Sequence, residues 1–152
     1  MYLIDTNIHA AYLLQNFEDD HLTRRYLSFF DRIPLTDRLI PDFIVGELET
    51  FMIQVVPSRY GLNAEDKQKL KQLTFDYIER ITADCTVVVP DVEVVQYAQK
   101  VYLENSKTRY ISFVDSLLVA FAEKCKYFLY TKDERLGYVA KQNNVVLPKP
   151  GD

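Results

Sequence analysis

The chain opens Met1-Tyr2-Leu3-Ile4-Asp5-Thr6-Asn7, a short apolar run that stops abruptly at a carboxylate, a hydroxyl and an amide. Tyr2, Leu3 and Ile4 do not alternate with polar residues, which is the pattern of a strand covered on both faces and central in its sheet. In open α/β sheets ligands bind in the crevice beyond the carboxyl ends of the strands, so Asp5 is expected at the floor of such a crevice. The simpler reading is that Asp5, Thr6 or Asn7 caps the next helix, since all three types favour that position. The weight moves toward a site because acidic residues recur downstream where local structure has no evident need of them.

Outward from this strand the apolar pattern alternates between two periods. Ile8 to Gln15 reads as a short helix closed by the acidic turn Glu18, Asp19, Asp20. Leu22, Tyr26, Phe29, Phe30 and Ile33 then form one helix face, with Arg24, Arg25 and Arg32 on a solvated side. Pro34 ends that helix, since an interior proline costs roughly 3 kcal/mol. Leu39-Ile40-Pro41 is a second strand, and Asp42 is expected to cap a helix whose stripe is Ile44, Leu48, Phe51, Met52 and Val55. Glu47 and Glu49 flank that stripe symmetrically, so periodicity does not choose between them. Past Pro57 and Gly61, Asn63 with Asp66 opens a helix with Leu70, Leu73, Tyr77 and Ile81 facing inward, and Lys67, Lys69 and Lys71 solvated.

Thr86-Val87-Val88-Val89 reads as a third buried strand, followed by Asp91 as the N-cap of a helix carried by Val94, Val95, Ala98, Val101 and Tyr102. In the helix after Ser112, Asp115 shares its side with Leu118, Val119 and Ala122, while Ser112, Ser116 and Glu123 share another. A carboxylate on an apolar surface is costly unless a cation or donors compensate it, and a metal ion is the favoured compensation. Tyr127-Phe128-Leu129-Tyr130 is a fourth strand ending in Thr131-Lys132-Asp133, where Asp133 also suits the cap of a helix bearing Leu136, Val139 and Ala140. Val145-Val146-Leu147 reads as a last strand, and Pro150-Gly151-Asp152 as a tail.

Strands this apolar, alternating with helices, predict a three-layer α/β/α sandwich around a mainly parallel sheet of four to five strands. Right-handed crossovers place the strands' carboxyl ends on one edge, bringing Asp5 and Asp133 together with Asp115 and one of Glu47 or Glu49 in reach. The 152 residues, 48% hydrophobic, suit a single domain over residues 1–152 with a substantial core. Cys85 and Cys125 match no ligand spacing and are expected to be buried thiols in a cytoplasmic protein. With only His9 and His21 besides, zinc is disfavoured, whereas carboxylates suit magnesium or manganese. The apolar run Leu117 to Ala122 is too short to span a membrane, and a strand beginning at Met1 is expected to leave no room for a leader. A net charge of −4 disfavours nucleic-acid binding through bulk electrostatics, though not through a local basic patch or a cation bridging phosphate to the acids.

Four segments in order resemble the PIN domain family of metal-dependent ribonucleases, which includes the VapC-like toxins: Asp5-Thr6-Asn7, Pro41-Asp42-Phe43-Ile44-Val45-Gly46-Glu47-Leu48, Ser112-Phe113-Val114-Asp115, and Thr131-Lys132-Asp133-Glu134-Arg135-Leu136. The resemblance runs from Met1 to about Leu147. It implies an acidic set of Asp5, Glu47, Asp115 and Asp133, so selecting Glu47 over Glu49, with Thr6, Asn7 and Thr131 as supporting polar groups. Ser116 stands where the family more often has alanine. The resemblance further implies one or two Mg2+ or Mn2+ ions, hydrolysis of RNA to 5′-phosphate and 3′-hydroxyl ends, a homodimer, and an antitoxin partner covering the site; Phe51 to Val56 offers an apolar stretch for it if not used in the core. Two other classes share the outline: a PIN-fold binding module without nuclease activity, and an aspartate phosphotransfer or phosphatase domain. A phosphatase needs a second aspartate where Asn7 stands, and a phosphotransfer receiver a second acidic residue near the first strand and a lysine at a late strand end.

Overall fold

The computed structural model describes residues 1–17, 20–108 and 110–150. Four strands, β1 (Tyr2–Ile4), β2 (Arg38–Pro41), β3 (Thr86–Val88) and β4 (Phe128–Tyr130), form one parallel sheet in the order β3-β2-β1-β4. Among the described residues, seven α-helices connect them and an eighth follows β4: α1 (Thr6–Leu13), α2 (His21–Arg32), α3 (Asp42–Thr50), α4 (Val56–Arg59), α5 (Ala64–Asp84), α6 (Val92–Asn105), α7 (Phe113–Cys125) and α8 (Glu134–Gln142). The chain runs outward from β1 through β2 to β3, then returns to place β4 on the other side of β1. That reversal makes a topological switch point between β1 and β4, and crevices open at such points. Ile4 pairs with Tyr130, so the next residues, Asp5 and Thr131, leave the sheet side by side.

Strand alternation divides the core. Leu3, Leu39 and Leu129 point toward α6, α7 and α8, where they pack with Ala98, Leu118 and Val139. Ile4, Ile40 and Tyr130 point the other way, toward α1, α2, α3 and α5. Both faces of the sheet are covered by helices, as its uninterrupted apolar strands require. His9 belongs to this core: it is wholly buried, with Nδ1 2.7 Å from the Tyr77 hydroxyl, and burial pushes its pKa down to about 3, so it stays neutral.

Several expectations are corrected. The helix after β1 begins at Thr6, not Ile8. Leu27 rather than Leu22 faces inward from α2, and Leu73 is exposed while Thr74 is buried and returns its hydroxyl to the Leu70 carbonyl. Pro41, not Asp42, is the N-cap of α3. Between α3 and α4, Phe51–Val55 form a π-helical turn. The wider turn moves the apolar face on by one position, so Val56 is buried and Val55 exposed. Pro57, which lacks an N–H, lies just beyond this turn, a familiar place for the helical ladder to be interrupted.

β3 is an edge strand with Val87 exposed, not a buried one, and it ends at Val88, leaving Val89 outside it and also exposed. The segment 145–147 adds no strand to the sheet, meeting β4 through the Leu129 N–H to Val146 carbonyl bond without a continuing ladder. Cys85 is half-buried and Cys125 exposed, both as free thiols. Of the acidic turn expected after α1, Glu18 and Asp19 lie outside the described residues, as do Gly151 and Asp152 of the tail.

Candidate active site

The carboxyl edge of the sheet opens into a cleft of about 360 Å³ whose walls include Asp5, Glu47, Asp115 and Asp133. Four acids drawn from the end of β1, from α3, from the first turn of α7 and from the residue before α8 thus meet in one cavity, with Thr6 and Asn7 beside them. Glu49 is exposed on α3 and lines no part of this cleft.

Asp5 occupies the N-cap position of α1 but makes no side-chain cap bond. Its Oδ2 accepts instead from Thr131 Oγ1 at 2.6 Å and Asn7 Nδ2 at 2.5 Å. Thr131 is the hub of this support, since its hydroxyl oxygen also accepts from Asn7 Nδ2 at 3.1 Å and from the Asp133 backbone N–H at 2.9 Å. Asn7 Oδ1 receives the Lys132 N–H at 3.2 Å, tying the end of β1 to the end of β4. Thr6 Oγ1 donates to Glu47 Oε2, which fixes the reach of α3 into the cleft.

The other two acids have local duties, foreseen from sequence for Asp133 but not for Asp115. Asp115 completes a capping box with Ser112: its Oδ2 accepts from the Ser112 N–H at 2.7 Å while its own N–H donates to Ser112 Oγ at 3.0 Å. Asp133 caps α8, its Oδ1 accepting from the N–H groups of Arg135 at 2.7 Å and Leu136 at 3.0 Å. Ser116 is buried and bonds the Ser112 carbonyl at 3.2 Å, so it steadies the helix start.

A common feature follows. Each of the four carboxylates commits one oxygen to the protein, and the second has no hydrogen-bond partner among the described residues. The cost of this crowding is visible in the proton equilibria. Burial raises the pKa of Asp5 to about 7, helped by the charges of Asp115, Glu47 and Asp133 and opposed by the Thr131 bond. Burial likewise raises Glu47 and Asp115, with Asp115 acting on Glu47 and Asp133 on Asp115. A cation among the free oxygens would relieve all of these at once.

Such a cation would not be caged. Among the described residues no group of three or more histidine, cysteine, aspartate or glutamate side chains stands in a geometry that could hold a metal ion directly. This donor set fits magnesium or manganese bound through one or two carboxylates and several waters, with the remaining acids acting through water, and does not fit zinc. Two cations on the cleft wall were not foreseen from sequence. Lys132 lies on it with its Nζ donating to Thr23 Oγ1 at 3.2 Å, and Arg59 lies on it with its guanidinium 5.4 Å from the Phe51 ring centroid. The position of Arg59 depends on the π-helical turn, which no 3.6-residue pattern announces.

The sequence and the fold both resemble those of known proteins. A family model described as PIN domain matches residues 2–142. The structure of FitAB bound to an IR36 DNA fragment superposes with a TM-score of 0.71 at 20% identity, covering 99% of this chain and 95% of that one. FitAcB from Neisseria gonorrhoeae gives 0.69 at 20% identity, covering 99% and 98%. VapC20 from Mycobacterium tuberculosis, described as a sarcin-ricin loop cleaving toxin, gives 0.63 at 17% identity, covering 91% and 94%. At these identities the likeness is one of fold. No curated protein matches the sequence. With the family model spanning nearly its whole length, the chain belongs to the PIN domain family.

Proposed function

We propose that this protein is a divalent-metal-dependent endoribonuclease and the toxin of a toxin-antitoxin pair. The observation that carries the proposal is that Asp5, Glu47, Asp115 and Asp133 line one cleft, each with one carboxylate oxygen that has no hydrogen-bond partner among the described residues. On this reading Asp5 and Asp115 hold Mg2+ or Mn2+ directly, while Glu47 and Asp133 hold it directly or through water. When bound, the ion supplies a water of lowered pKa and neutralises charge on the phosphodiester. The chain's own groups do the positioning. Thr131 and Asn7 fix one oxygen of Asp5, Thr6 fixes one of Glu47, and Ser112 fixes one of Asp115.

The partners follow as part of the same proposal: an RNA substrate, a homodimer in the cytoplasm, and an antitoxin segment. The solved neighbours include VapBC-1 from nontypeable Haemophilus influenzae as well as the Fit proteins, and Ala10, Ala11, Leu14 and Phe51 give the cleft an apolar wall on which a partner could rest. Among the described residues, no helix is long and apolar enough to cross a membrane. Incubation with total RNA and millimolar Mg2+ or Mn2+ tests the activity. The expected result is cleavage to 5′-phosphate ends that EDTA abolishes and that is lost in Asp5→Asn and Asp115→Asn. RNA left intact by the wild type under all these conditions would leave a binding module as the better description, and trapping of an acylphosphate on Asp5 would indicate phosphotransfer.

A further inference from the structure

Next to the acidic cleft lies a second groove of about 320 Å³ that shares Lys132 and Asp133 with it. Its lining departs sharply from the protein's overall charge of −4: Lys132, Lys141 and Lys149 are joined by the rings of Tyr26 and Tyr138, and Glu134 is its one carboxylate outside the acid cluster among the described residues. None of the three lysines forms an ion pair among the described residues. Lys141 and Lys149 are exposed, and Tyr138 is 41% exposed with its hydroxyl accepting from Gln142 Nε2 at 2.9 Å.

The groove is built rather than incidental. Its outer wall is the segment 147–150, pinned by Arg25 Nη2 donating to the Pro150 carbonyl at 2.8 Å. Its floor depends on Gly137, where a Cβ would stand 3.2 Å from Leu147 Cδ1, so the absence of a side chain lets that wall approach α8. Lys132, at the junction, is steadied by Thr23 of α2.

We infer that this lysine-tyrosine groove is the track for single-stranded RNA leaving the acid cluster, with Lys132, Lys141 and Lys149 on successive phosphates and Tyr138 stacked on a base. The inference rests on the nuclease reading above and adds the direction in which the strand runs. Unpaired strands are held by basic grooves with aromatic platforms, and a strand whose bases are free to stack fits a single concave groove better than a duplex does.

The test is fluorescence anisotropy with a labelled 12-nucleotide single-stranded RNA in EDTA, so that binding is read without cleavage. Lys141→Ala/Lys149→Ala should weaken binding at least tenfold and lower the slope of log K against log salt by about 1.4, from about 0.7 per phosphate contact in single strands. Tyr138→Ala should weaken binding about tenfold with the slope kept, and Tyr138→Phe should restore it. Lys67→Ala/Lys71→Ala on α5 should change neither. Wild-type affinity and slope in Lys141→Ala/Lys149→Ala, in a protein that cuts RNA with manganese, would overturn the track and keep the nuclease. Lysine-dependent binding without any cleavage would keep the track and refute the nuclease. No binding by the wild type would overturn the track and leave the nuclease to the cleavage assay, and an equal preference for duplex RNA would overturn the single-strand assignment.

Discussion

Replacing Asp5 by asparagine should make the metal-free protein more stable, and increasingly so as pH rises. Asp5 carries its folded pKa from 3.8 up to about 7, chiefly through burial and then through its acidic neighbours. A folded pKa above the unfolded one means that the stability contributed by the proton is fully present below about pH 4 and lost as pH rises through about 7. At ~1.4 kcal/mol per pKa unit, holding Asp5 charged around pH 8 costs on the order of 4 kcal/mol. Asparagine never carries that charge. Its amide oxygen can still accept from Thr131 and Asn7, and its NH2 then faces the remaining carboxylates, so the change in hydrogen bonding should return only about 1 kcal/mol of the gain.

In EDTA, Asp5→Asn should therefore be roughly 3 kcal/mol more stable than wild type near pH 8. That corresponds to about 6 to 12 °C in Tm for a domain of this size. The gap should close toward pH 4. Titrating groups away from the cleft, such as Asp20, whose bonds with Thr23 lower its pKa, are common to both proteins and cancel in the difference. Thermal unfolding of the two proteins side by side from pH 4 to pH 8 is the assay. A gap that is flat with pH, or a wild type more stable at pH 8, would refute the reasoning.

Two further pairs of substitutions test the cap role of Asp133 and the turn before α4. Asp133→Ala should destabilise by about 1 kcal/mol, because it removes the α8 cap that accepts from Arg135 and Leu136, while Asp133→Asn should keep stability near wild type; chemical denaturation reads both. Val56→Ala should cost about 2 kcal/mol and Val55→Ala less than about 0.5, in the order the π-helical turn dictates, and the opposite order would restore the regular helical register.

Much of the fold was legible because the sheet is buried. Tyr2-Leu3-Ile4, Leu39-Ile40 and Phe128-Leu129-Tyr130 advertise central strands, and most of the helical stripe positions, such as Phe30, Leu48 and Val101, are buried as read. The site was legible where an acid stands at a strand end, as Asp5 does, since topology alone brings such ends together. Glu47 was separated from Glu49 only by family resemblance, because both sit at the margin of the same helical stripe. The structure supplies the physical reason in the Thr6 hydroxyl that engages Glu47. What was hidden depends on non-local geometry. Val87 and Val89 read as core because composition does not reveal that β3 ends the sheet. Val145-Val146-Leu147 has strand composition without a ladder to join, and Arg59 reaches the cleft through a turn whose period differs from its neighbours. Asp115 was read as surplus to local structure, yet one of its oxygens completes the capping box with Ser112, whereas Asp133 takes the cap position that its place before α8 suggested.

The central claim is that the four acids tolerate one another by sharing a divalent ion. Calorimetric titration of Mn2+ into the wild type and Asp5→Asn, at several pH values spanning 6 to 8, tests it most directly. The expectation is saturable binding to the wild type that tightens as pH rises through about 7, with protons released into the buffer, and affinity at least tenfold weaker in Asp5→Asn. Binding of equal strength in the two proteins, or binding indifferent to pH and without proton release, would contradict it.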